Sequence, residues 1–125
     1  MVEDENGVIS YQASSPDELA LIQGGLQAGL QLKENSTVET VIDNLTQNKL
    51  ETYKVLAEFP FDSTRKRMSK IIQHEGQIIL MCKGADSIIL PRCEFFSEES
   101  KAEEVDIAFE LTNFAKEGLR TLVVA

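Results

Sequence analysis

The chain has no tryptophan, one histidine, two cysteines and three prolines in 125 residues. A single histidine, His74, cannot build a histidine-based zinc site, and beside Glu75 and Gly76 it reads as a turn residue. Cys82 and Cys93 are too few for a disulfide scaffold and lack a Cys-x-x-Cys spacing, so a reduced, intracellular protein is expected, with Cys82 a small buried hydrophobe. The longest apolar runs, 78–82 and 122–125, fall far short of the ~20 residues a membrane helix needs. No basic, apolar and small-residue succession opens the chain, so no signal peptide is expected. Also missing are a P-loop, a Gly-x-Gly-x-x-Gly after a strand and a Gly-x-Ser-x-Gly elbow. Gly24 and Gly25 belong inside or at the end of a helix. No nucleophile, base and orienter can be assembled, so binding is the expected class of function.

What is present is a 42% hydrophobic, 26% charged composition, which suits one domain with one core and excludes a disordered chain. The net charge of −9 repels nucleic acid and anionic membrane surfaces, so no nucleic-acid partner is expected. The charges are uneven. Glu94, Glu98, Glu99, Glu103, Glu104 and Asp106 face only Lys101 in their stretch, whereas Arg65, Lys66, Arg67 and Lys70 have no acid among them. A small anion could find a local positive site on this acidic protein.

Residues 1–8 read as a disordered or artificial lead-in, with one domain over 9–125. Ser15 before Pro16, Asp17 and Glu18 is a helix start, which glycines end near Ala28. From residue 30 to 61 the period becomes two. Val38, Thr40 and Ile42 share a face, as do Tyr53, Val55, Ala57 and Phe59. Residues 68–73 and 77–83 form a hairpin around Glu75 and Gly76, with Gly84 breaking its second strand. A short helix over 85–90 stops at Pro91. A long one over 97–116 carries Val105, Ala108, Leu111 and Ala115 at helical spacing and stops at Gly118. Residues 119–125 end in mid-strand, as if cut from a longer protein. The fold class is α+β, a mainly antiparallel sheet flanked by helices.

Three segments could carry function. In Ser15-Pro16-Asp17-Glu18, Glu18 either favours the helix dipole or offers a carboxylate acceptor to an amino group. The stretch 58–69 is either a solvated loop between strands or a ligand site, with Phe61 at the loop mouth beside cations, as a purine and its phosphates would need. In Met81-Cys82-Lys83-Gly84-Ala85-Asp86, Lys83 either snorkels at the sheet edge or faces a pocket floor. Gly84 would let a ligand approach the backbone, and Asp86 would cap the next helix.

Together with Gly118-Leu119-Arg120-Thr121-Leu122, these segments resemble, in this order, the motifs of P-type ATPases. The Tyr11-Gln12-Ala13-Ser14-Ser15-Pro16-Asp17-Glu18 and Arg65-Lys66-Arg67-Met68-Ser69 forms resemble the P4 subfamily, the phospholipid flippases. The resemblance spans residues 9–125 and implies the cytoplasmic nucleotide-binding domain. It implies that Glu18 accepts from the adenine amino group and that Phe61 stacks on adenine. Phe59 is the competing aromatic, but the register to Met68 favours Phe61, and strand alternation puts Phe59 in the core. Lys83 would line the adenine pocket over a floor shaped by Gly84 and Ala85, and Arg120 would reach the phosphates. Ser63 and Met68 would line the pocket as well. Ser14 and Leu19 depart from the subfamily's frequent Ala and Gly, and Leu19 would crowd the adenine edge.

The implied ligand is ATP with Mg2+, the metal riding on the phosphates without a dedicated protein ligand. The implied partners are nucleotide and the phosphorylation domain of the same parent chain. The parent would sit in a membrane with this domain on the cytoplasmic side, with or without an accessory subunit, and the fragment itself would be soluble. The Asp-Lys-Thr-Gly-Thr segment of the family is missing here, so the chain should bind nucleotide weakly without hydrolysing it. The alternatives are the same domain from a cation pump, and a protein-interaction module whose acidic helix over 97–116 binds a basic partner.

Overall fold

The computed structural model describes residues 2–3, 9–95 and 97–125. The first strand pair, β1 (Val2–Glu3) and β2 (Ile9–Ser10), is antiparallel. The rest of the lead-in expected over 1–8 lies outside the described residues. Helix α1 spans Pro16–Gln27 and starts as its sequence dictates. Ser15 is extended (φ −144°, ψ 156°), its hydroxyl accepts from Glu18 N at 3.2 Å, and Pro16 opens the helix. The chain then turns through Gly29 (φ 87°), a left-handed conformation that favours glycine.

Strands β3 (Leu30–Asn35), β4 (Glu39–Asn44), β5 (Lys49–Phe59), β6 (Arg67–His74), β7 (Gln77–Gly84) and β8 (Val123–Val124) follow one another in a six-stranded sheet of order β3-β4-β5-β6-β7-β8. β3/β4, β4/β5 and β7/β8 pair antiparallel. β5 and β6 are neighbours joined by a connection too short for a parallel crossover, and β6 and β7 by a two-residue turn. That turn has Glu75 at φ 49° and Gly76 at φ 79°, the double positive φ of a tight hairpin. Between strands β7 and β8 lie α2 (Asp86–Ile89), a 3-10 turn (Leu90–Arg92) and α3 (Glu98–Lys116). The α+β class read from the sequence is what the chain adopts.

The chain groups into two compact units. One comprises the described residues up to Leu56 together with Ile72–Ile79, and the other comprises Ala57–Ile71 with Leu80–Ala125. In the first, Val55 and Ile72 are buried and Tyr11 donates to Leu32 O at 3.1 Å. His74 stacks on Tyr53, ring centroids 4.2 Å apart, so it has a packing role beyond the turn. In the second, Ile89 (1% exposed), Ser69 and Gly84 are buried. α3 begins in a capping box in which Ser97 and Ser100 each accept the other's backbone N–H at 3.0 Å. It ends at Gly118 (φ 72°), where Leu119 N reaches Phe114 O at 3.0 Å. The helical period was legible, but its packing was not. Leu111 is half-buried, whereas Val105, Ala108 and Ala115 are exposed.

Gly84 does not break β7; it is part of the strand and pairs with Val123. A Cβ there would lie 3.0 Å from Lys66 O and 3.1 Å from Arg67 Cβ, so the missing side chain is what lets two backbones approach. Gly84→Ala should therefore lower stability by about 1–3 kcal/mol by overpacking, read as a lower urea midpoint at unchanged slope.

Tyr53 donates to Glu51 at 2.7 Å, and this bond to a carboxylate pushes the phenol from 10.0 up to about 12, while Glu51 is held below its usual range by the same bond. Because the folded pKa is raised, the linked stability is complete below the ordinary phenol pKa of about 10 and is lost as pH rises from there toward about 12. In an absorbance titration at the phenolate band, Tyr53 should ionise well above the ordinary value, and Glu51→Gln should bring it down.

Candidate functional site

The connection between β5 and β6 is set by Asp62. Its carboxylate accepts from Thr64 N at 2.9 Å and Arg65 N at 2.7 Å, and its carbonyl accepts from Lys66 N at 2.8 Å. Lys66 completes the turn at φ 55°. Phe61 and Ser63 ride on this turn, both exposed, with Phe61 64% open to solvent. A ring held at the mouth of a fixed turn is available for stacking. Phe59, expected in the core, is instead 45% exposed, with the Arg65 guanidinium 5.7 Å from its ring centroid. It is the last residue of β5, where alternation still sets the face but the cover over that face has run out.

Counting back from the Glu75–Gly76 turn sets Ser69 opposite Cys82 and Met68 opposite Lys83. The 3.3 Å approach of Ser69 Oγ to Cys82 Sγ agrees with this register. Met68 and Lys83 are thus neighbours on one face of β6 and β7, both half-buried. On the same face, Lys70 is ion-paired with Glu58 at 3.3 Å. Arg67, Ser69 and Cys82 point to the other face. Gly84, expected to receive a ligand, is filled on its own open side by Lys66 O, Arg67 and Ile89. Ala85 caps α2 through its backbone, and Asp86, expected as the cap, is the first helical residue.

Arg120 lies between α3 and β8, in the second unit with Phe61, Ser63, Met68, Lys83, Gly84 and Ala85. Glu18 belongs to the first. Its backbone N–H is tied to Ser15, and its carboxylate accepts from Ser14 Oγ at 2.6 Å. By motif, Ser14 is only a departure from the subfamily's frequent Ala. Its hydroxyl holds one oxygen of Glu18, a spacing of four residues that could have been read as a contact. Among the described residues no cluster of His, Cys, Asp and Glu is arranged to hold a metal, and no helix is long and apolar enough to cross a membrane.

The family model described as P-type ATPase, cytoplasmic domain N, matches residues 2–125. The chain is 41% identical over 123 residues to phospholipid-transporting ATPase DRS2 of Saccharomyces cerevisiae, covering 96% of this chain and 9% of that protein. It is 36% identical over 129 residues to probable phospholipid-transporting ATPase 12 of Arabidopsis thaliana, covering 99% of this chain and 11% of that one. Against phospholipid-transporting ATPase IG of Homo sapiens it is 36% identical over 122 residues, covering 97% and 10%. The chain belongs to the P-type ATPase cytoplasmic N-domain family. It spans about a tenth of the length of these relatives.

Because Phe59 is half open, Phe59→Ala should cost only about 1–2 kcal/mol, below the 3–5 kcal/mol of a fully buried phenylalanine. Equilibrium urea unfolding checks this; a loss in the fully buried range would restore Phe59 to the core.

Proposed function

We propose that this chain is the ATP-binding domain of a phospholipid-transporting P-type ATPase of the P4 kind. The reading is supported by the family match across residues 2–125, and the names of the relatives favour a phospholipid transporter over a cation pump. The observation that carries the site is the pairing of Met68 with Lys83 on one face of the β6–β7 hairpin, next to the turn that holds Phe61.

Adenine stacks on Phe61, a contact worth about 1–3 kcal/mol. Glu18 accepts from the adenine amino group through its carboxylate, already oriented by Ser14. Lys83 lines the base pocket, Ala85 shapes its floor, and Ser63 and Met68 complete its wall. Arg120 reaches the phosphates, where a cation meets charge that water and salt only partly screen. Mg2+ travels on the phosphates and neutralises them. The phosphoryl acceptor is an aspartate in another domain of the parent chain, which sits in a membrane with this domain on the cytoplasmic side. This chain's part is to hold the base and present the phosphates; alone it binds ATP weakly and does not hydrolyse it.

Titrating ATP–Mg2+ while following backbone amide shifts tests the reading. Shifts should concentrate at Phe61, Met68 and Lys83, and Phe61→Ala and Lys83→Ala should each weaken binding about tenfold, a loss of about 1.4 kcal/mol, with the amide spectrum otherwise unchanged. No shifts at millimolar nucleotide, or parent-like binding by both variants, would contradict it.

A further inference from the structure

The face of β6 and β7 opposite Lys83 and Met68 is not flat. It holds a cavity of about 600 Å3 within the second unit, lined by Arg65, Arg67 and Arg92 together with Phe59, Cys82 and Cys93. Ile71, Leu80 and Ile89 supply apolar wall, and among the described residues no Asp or Glu side chain lines it. Three guanidiniums without a lining carboxylate are unexpected on a chain of net charge −9. Ala125, whose backbone pairs with Cys82, closes one wall.

The arginines are held in place and keep donors to spare. Arg65 donates to Ser69 Oγ at 3.1 Å and lies over the Phe59 ring. Arg67 donates to Arg65 O at 3.0 Å, and Arg92 to Ile88 O at 2.6 Å. Each guanidinium has five N–H donors in a planar fork, so one bond apiece fixes the side chain and leaves the rest for an acceptor. Like charges gathered on one cavity repel one another, and an incoming dianion relieves that repulsion.

We propose that this cavity is a second ligand site, for an organic phosphate whose dianionic head meets Arg65, Arg67 and Arg92 and whose apolar body lies against Phe59 and Ile89. Alternation of the strands sets it on the other face from Lys83 and Met68, so it is independent of the nucleotide reading.

The two cavity thiols report occupancy. Alkylation of Cys82 and Cys93 by iodoacetamide is followed by peptide mass, with phenyl phosphate as the probe. For a dissociation constant of about 1 mM, about 10 mM phenyl phosphate should slow both cysteines roughly tenfold. Benzyl alcohol, the uncharged analogue, should leave the rates unchanged, and inorganic phosphate should protect less than phenyl phosphate. The double variant Arg67→Gln, Arg92→Gln should lose protection while keeping its circular dichroism and its unprotected rates. Lys83→Ala should keep protection in full. The proposal is overturned by absent protection, by equal protection from benzyl alcohol or from inorganic phosphate, by protection that survives the double substitution, or by protection that Lys83→Ala removes. The last result would assign the cavity to the nucleotide site instead.

Discussion

The register of β6 against β7 is the constraint from which the chemistry of the second unit follows. Glu75 and Gly76, both at positive φ, close a two-residue turn, and such a turn admits one pairing of the strands it joins. That pairing sends Met68 and Lys83 to one face and Arg67, Ser69 and Cys82 to the other. A slip of one residue in either strand would exchange the faces and carry Lys83 to the arginine side. The turn therefore decides which cations share a face, although it lies far along the strands from them.

Around that hairpin, the local positive charge is distributed by strand period. The sequence presents Arg65, Lys66, Arg67 and Lys70 as one basic run. In the fold, Lys70 goes to Glu58 and Arg65 goes to Ser69 and the Phe59 ring. Asp62 satisfies the backbone of the turn rather than neutralising a neighbour. Gly84 then lets the end of β7 sit against the carbonyl of Lys66, which locks the turn to the strand that carries Lys83. The end of β7 and the loop that bears Phe61 are thereby one packed piece.

Elements with a local chemical cause were legible in the sequence. Ser15 and Pro16 start α1, Ser97 and Ser100 start α3, and Glu75–Gly76 makes the hairpin, because capping and turn geometry act within a few residues. Features that depend on what covers a surface were not. Alternation set the face of Phe59 but could not say that β5 ends there, half open to water. Helical spacing found the stripe of Val105, Ala108 and Ala115, yet spacing is blind to whether another element covers it. Gly84 was read as room for a ligand, and the room is taken by Lys66 and Ile89 from the chain itself. The candidate site residues came from motif resemblance, and the family match bears out the family. The sequence presents the basic run as one block, and only counting back from the Glu75–Gly76 turn divides Arg67 and Lys70 between two faces.

The division of the hairpin into two faces is tested most directly by transferred nuclear Overhauser effects from bound ATP. The adenine protons should show contacts to the Phe61 ring and the Met68 methyl group, on the Lys83 face. Contacts instead to the methyl groups of Ile89 or Leu80, across the sheet among the arginines, would contradict the account.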